Sequence, residues 1–360
     1  MSAAKHSKET VQSFTQGETL QDRYRIVRQL GAGGMGAVYE AVDDRLQATV
    51  AIKETFSVDD RLRRQFEQEA RMLAQLNHPA LPRVSDYFTE NGRAFLVMQF
   101  IAGDDLAQIT SQQPGPFPRA QVIAWADQLL DALIYLHTRE RQIIHRDIKP
   151  HNLKLTSSGQ IALLDFGLAK TRAADQSTTQ SSNSIFGYTR RYSPLEQIQD
   201  QGTSPQSDIY ALGATLYHLL TGIKPPDALT RAAALANSKR DPLTSGNELQ
   251  SIVGPELSAV LNKAMALNAN DRYENAALFR EALKRVGRKE VQSLSVQIAA
   301  NPGLRRSSAT LDPFDSYSIL RPEADLFRIS KRKHMPALFA VILAIVLVAI
   351  AVAYPGNLIN

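Results

Sequence analysis

The 360-residue sequence contains no cysteine. That excludes disulfide staples, thiolate–zinc sites and cysteine nucleophiles. It also lacks a charge excess: 41 Lys and Arg stand against 36 Asp and Glu, a net +5 spread along the chain. Such a mild balance reads as a mixed solvated surface and gives no reason to expect a nucleic-acid partner. Residues 1–16 lack an apolar core segment, so they are not a secretory signal. What is present is a composition of 44% apolar and 21% charged residues, ordinary for a folded globule with a core.

Taken in order, residues 1–20 are polar and aperiodic and predict a disordered leader. Tyr24–Leu30 predicts a strand, followed by Gly31-Ala-Gly33-Gly34-Met35-Gly36-Ala37-Val38 and a second strand-like segment. Small residues there would let backbone amides approach phosphate oxygens without Cβ obstruction. A dinucleotide fingerprint would open a helix at this point; a strand follows, which favours a hairpin. Val50-Ala51-Ile52-Lys53 reads as a buried strand ending in a lysine. Asp59–Leu76 has helical periodicity, with Leu62, Phe66, Leu73 and Leu76 on one face and Glu69 on the same face. Two readings of Glu69 stand: a pair with Lys53, or a carboxylate in water at the edge of the stripe.

Arg83–Thr89 and Ala94–Phe100 predict two strands around Asn91-Gly92. Helices are expected over Ala120–Leu136, Ser207–Gly222, Ser258–Leu267 and Asn275–Val286. Leu168–Ser184, poor in apolar residues and rich in Ser, Thr and Gln, predicts a mobile loop. Residues 288–334 read as a flexible linker ending in the basic cluster Lys331-Arg332-Lys333-His334. Met335–Tyr354 is an uncharged run of about 20 residues, long enough to span a bilayer core. The basic flank places the N-terminal side in the cytoplasm and leaves Pro355–Asn360 as a short outer tail.

The stretch Ile144–Gly167 carries the densest chemistry. It contains His-Arg-Asp-Ile-Lys-Pro-His-Asn, with Asp147 and Asn152 five positions apart, then a hairpin signal around Ser157-Ser158-Gly159, then Asp165-Phe166-Gly167. With the glycine-rich stretch and the strand-end Lys53 upstream, this resembles the eukaryotic-type serine/threonine protein kinase family, bacterial membrane-anchored branch. The resemblance covers about Tyr24–Val286. It implies a two-lobed α+β fold: a small β-rich lobe over 24–98, a larger helical lobe over 102–286, and one C-terminal transmembrane helix. It further implies ATP- and magnesium-dependent (or manganese-dependent) phosphate transfer to protein substrates, at the plasma membrane with the kinase domain cytoplasmic.

Residue by residue, the resemblance implies that Leu30, Gly31, Gly33, Gly36, Val38, Ala51 and Met98 line the nucleotide pocket. Gln99, Phe100 and Ile101 would form the hinge whose backbone reads adenine. Lys53 would hold the α- and β-phosphates and pair with Glu69. Asp147 would orient or accept the substrate hydroxyl proton, Lys149 would steady the γ-phosphate, and Asn152 and Asp165 would hold the metal. Arg146 implies activation by phosphate on the loop, best placed at Thr178 and Thr179, with Ser177, Ser181 and Ser182 as alternatives. Thr189 would bridge Asp147 and Lys149. Glu196 would pair with Arg272, although the local Pro194-Leu195-Glu196 departs from the family's Ala-Pro-Glu. Asp208 would brace the catalytic-loop backbone. A second departure is Lys154, where the family has an apolar floor under adenine. Its stem is expected to pack on the base, with Val38 and Ala51 opposite, while the ammonium reaches water. That residue is the one feature favouring a rival reading, a membrane-anchored pseudokinase that binds partners without catalysis. With no outer sensor domain expected, a signal would arrive from inside, from the membrane, or through a homodimer formed by the helix.

Overall fold

The computed structural model describes residues 13–33, 36–55, 60–166 and 190–300. The first part is a six-stranded antiparallel sheet: β1 Thr19–Leu20, β2 Tyr24–Gly33, β3 Gly36–Asp43, β4 Ala48–Thr55, β5 Val84–Glu90 and β6 Arg93–Gln99, in the order β1-β2-β3-β4-β6-β5. Helix α1, Asp60–Leu73, lies between β4 and β5 in the chain. Strand alternation sorts the residues of the sheet. Tyr39, Ile52, Phe95 and Val97 face an outer cluster that also buries Leu20, Tyr24 and Ile26. The opposite face carries Val38, Ala51, Lys53, Leu96 and Met98, because Val38 pairs with Lys53, Ala51 with Met98, and Lys53 with Leu96.

The helical part holds α2 Leu106–Gln112, α3 Arg119–His137, a small ribbon of β7 Leu153–Leu155 and β8 Ile161–Leu163, α4 Leu195–Ile198, α5 Pro205–Thr221, α6 Ala228–Ala236, α7 Gly246–Leu249, α8 Gly254–Ala264 and α9 Ala276–Ala300. Its centre is α5, buried at every residue from Ser207 to Thr221. A Ser204–Ser207 capping box and Pro205 start that helix, and Gly222 in the left-handed region ends it. Against it packs α3, whose Val122, Ala126, Leu129, Leu130, Leu133 and Leu136 are buried with Trp125. Lobe architecture and element types agree with the sequence reading.

Two readings are corrected. First, the leader is ordered from Ser13 onward. β1 pairs with β2, and Phe14 lies edge-on to Tyr39 at 5.6 Å and 5.8 Å from Phe95, with the Arg93 guanidinium 5.2 Å from its ring centre. One aromatic in a polar stretch gives no periodic signal, yet it covers the outer cluster. Beneath it Glu54, fully buried, accepts from the Tyr39 hydroxyl at 3.1 Å and from Arg93 at 2.9 Å. Phe14→Ala is expected to lower the unfolding free energy by about 1 to 2 kcal/mol, read by denaturant titration. Second, α9 continues through Gly287 to Ala300, where the sequence reading began a linker at 288. A single glycine costs a helix only about 1 kcal/mol, and Arg288 pairs with Glu281 across it. Among the described residues no helix is long and apolar enough to cross a membrane; Met335–Tyr354 lies outside them.

Candidate active site

The site lies where the inner face of the sheet meets the ribbon and the loop before it. β2 and β3 form the glycine-rich hairpin, paired from Tyr24 opposite Asp43 to Gly33 opposite Gly36, with register shifts between Ile26 and Arg28 and between Gln29 and Gly31. Gly36 is required there: its φ is +155°, and a Cβ would lie 1.9 Å from the Glu54 carbonyl oxygen. Lys53, on β4, reaches across the cleft, and its Nζ is 2.9 Å from Oδ1 of Asp165. Asp165 has φ +56°, a left-handed conformation uncommon for a non-glycine residue. Phe166 lies against His145 with ring centres 4.8 Å apart and the planes tilted by 41°.

Asp147 and Asn152 also converge. The Asn152 amide nitrogen donates to the Asp147 carbonyl oxygen at 2.7 Å and to its carboxylate at 2.9 Å. Lys149 Nζ lies 3.0 Å from the same carboxylate oxygen. Asn152 is tied to the Asp165 segment through Leu164, whose N–H donates to the Asn152 carbonyl at 2.8 Å. Because the Asn152 NH2 is committed to Asp147, its side-chain oxygen is the atom left for a cation.

This loop is held from behind by Asp208, which is fully buried at the start of α5. Its carboxylate accepts from the backbone N–H groups of His145 and Arg146, both at 2.8 Å, and lies 2.9 Å from His137 Nε2. These bonds hold Arg146 at φ +68°. The Arg146 Nε donates to Thr203 at 2.7 Å, and Gln197 donates to the Arg146 carbonyl at 2.9 Å. His137, Thr203 and Gln197 were not legible in the sequence, since each meets the loop only through tertiary packing.

The rim of the pocket departs from expectation. Where the ammonium of Lys154 was expected to reach for water, it donates to the Ile101 carbonyl at 2.9 Å, with the Phe100 ring 5.4 Å away. Burial lowers the Lys154 pKa, with Asp105 and Asp104 acting the other way. The reason lies in the backbone: Lys154 bridges Asp105, and Leu155 N–H donates to the Asp104 carbonyl at 3.1 Å. Gly103 makes that approach feasible, since at φ +114° its Cβ would sit 2.2 Å from the Leu155 carbonyl oxygen. The inter-lobe segment is thereby stitched to β7, and the nearest acceptor for the ammonium is a carbonyl on that segment.

Below the loop, Glu196 and Arg272 form a two-pronged ion pair at 2.7 and 2.9 Å, with Ser207 donating to Glu196 at 2.8 Å. Burial pushes the Glu196 carboxyl up, but Arg272 and Ser207 outweigh it and hold it below the usual carboxylate range. The altered Pro194-Leu195-Glu196 stretch thus keeps its tether. Nearby Tyr192 shares a 2.8 Å hydrogen bond with His218, and both are buried. Burial, then Lys224, lowers the His218 pKa to about 4. An unfolded chain protonates this histidine near its ordinary 6.5, so its contribution is present above that pH and lost as pH falls toward 4. The loss, about 3 kcal/mol, should be shallower in His218→Gln when unfolding free energies are measured between pH 7 and 4.

The expected pocket residues Val38, Ala51 and Met98 share one face, with Leu30, Gly31 and Gly33 on β2 above. The Glu69 side chain, Gly167, Thr178, Thr179 and Thr189 lie outside the described residues. A protein kinase domain model matches residues 24–284. The chain belongs to the eukaryotic-type serine/threonine protein kinase family. This kinase chain is 34% identical over 261 residues to the probable serine/threonine-protein kinase PknB of Lactococcus lactis, covering 71% of itself and 41% of that relative. It is 34% identical over 286 residues to the serine/threonine-protein kinase PknA of Mycobacterium tuberculosis, covering 76% of itself and 64% of PknA. It therefore spans less than two thirds of either. Among solved structures it resembles the apo form of PpkA-294, with a TM-score of 0.62 and 30% identity, over 75% of this chain and 99% of that one.

Proposed function

We propose that this kinase uses ATP and a divalent cation to transfer the γ-phosphate to serine or threonine of proteins. The observation that carries this reading is the convergence of Lys53 on Asp165 from one side and of Lys149 and Asn152 on Asp147 from the other. In it, Lys53 binds and orients the α- and β-phosphates. Asp147 orients the substrate hydroxyl and takes its proton. Lys149 holds the γ-phosphate beside that carboxylate. The Asn152 amide oxygen and the Asp165 carboxylate are hard oxygen ligands suited to magnesium or manganese. When bound, the cation supplies neutralisation of phosphate charge. Phosphate on Thr178 or Thr179, placed there by the kinase itself, would order its loop against Arg146 through charge-assisted hydrogen bonds.

The reading extends to the membrane: Met335–Tyr354 anchors the chain in the plasma membrane, with the basic cluster 331–334 and the kinase domain on the cytoplasmic side. Transfer is tested by incubating the full chain with labelled ATP and a general protein substrate. Label is expected on serine or threonine with magnesium and absent with a chelator; label indifferent to metal would refute the reading. Anchoring is tested by fractionation, where the chain should follow membranes and a deletion of 335–354 should not.

A further inference from the structure

Strand β6 ends at Gln99, so Phe100 and Ile101 lie outside the sheet's hydrogen-bond ladder. Their backbone groups are the ones a flat heterocycle could read as it sits against the Val38–Ala51–Met98 face. One of them, the Ile101 carbonyl, already accepts from the Lys154 ammonium at 2.9 Å. That bond is not incidental to an exposed, wandering side chain: Lys154 is half-buried, bridges Asp105 through the backbone, and holds its ammonium near the Phe100 ring.

A carbonyl bonded to a cation is a poor acceptor for a second donor. The incoming N–H dipole meets the ammonium charge. We propose that Lys154 is a specificity-determining residue: by occupying the Ile101 carbonyl, it selects adenine against purines that carry an amine on C2, the carbon between N1 and N3. Adenine presents a C–H at that edge and asks nothing of the carbonyl. A 2-aminopurine presents a donor there and finds its acceptor taken. The inference rests on the nucleotide-binding part of the proposed function, and concerns the base alone.

The test compares ATP with 2-amino-ATP, which differ only in that amine, by equilibrium calorimetry on the full chain. Lys154→Met keeps a stem of similar length and deletes the donor; Lys154→Leu is a second apolar replacement; Lys154→Arg keeps a donor. The wild-type chain and Lys154→Arg should bind ATP more tightly than 2-amino-ATP. In the Met and Leu variants the ratio should shift toward 2-amino-ATP by about tenfold, the worth of one recovered hydrogen bond. A ratio equal to wild type in both variants overturns the inference. Loss of all nucleotide binding in both also overturns it, because Lys154 would then be required for binding and not for discrimination. Binding is read without turnover, so a chain that binds ATP but transfers no phosphate would sink the proposed activity and leave this inference standing.

Discussion

Asp147→Asn is expected to lower the rate of phosphate transfer by about 10^2- to 10^4-fold, the range for removing a positioned general base. The substitution preserves size and leaves the Lys53–Asp165 contact, at 2.9 Å, untouched. It removes the carboxylate on which Lys149 and Asn152 converge at 3.0 and 2.9 Å. The loss should therefore fall on kcat, measured with a protein substrate at saturating ATP, while nucleotide affinity by calorimetry changes little. Equal losses in affinity and rate would mean that Asp147 holds the nucleotide and not the acceptor hydroxyl.

Arg272→Ala should be the most destabilising single change outside the hydrophobic core. Arg272 has no exposed side-chain surface, binds Glu196 with two nitrogens, and also donates to the carbonyls of Ala266, Leu267 and Gln206. Its removal strands a half-buried carboxylate and three carbonyls, and breaking a buried pair from one side costs about 3 to 5 kcal/mol. Chemical denaturation should show that loss. Arg272→Lys should recover less than half, because an ammonium cannot reproduce the planar fork. With the guanidinium gone, burial is opposed only by the Ser207 hydroxyl and a backbone N–H, so the Glu196 pKa should rise and stability above neutral pH should fall most.

Much of the site was legible because its chemistry is local in sequence. Asp147, Lys149 and Asn152 share one loop, and Asp165 follows after a short ribbon whose turn residues are plain. Val38, Ala51, Lys53 and Met98 were reached through the family resemblance, and the strand pairing puts them on one face of the sheet. What escaped was decided by tertiary acceptors. The Lys154 ammonium was expected to seek water, but a carbonyl brought close by the Gly103 turn was nearer. Phe14 carried no pattern, so its seat on Tyr39 and Phe95 could not be inferred from polar neighbours. The end of α9 was misplaced because fading periodicity marks the end of a packed face, not the end of a helix.

In the proposed function, Lys53 and Asp165 act on one nucleotide–metal complex. The most direct test is a double-mutant cycle, Lys53→Met with Asp165→Asn, on the affinity for ATP in the presence of magnesium. The two residues are in contact at 2.9 Å, so the double variant should lose less than the sum of the single losses, with a coupling of about 1 to 3 kcal/mol. Strictly additive losses would place the two side chains at separate sites and contradict the account.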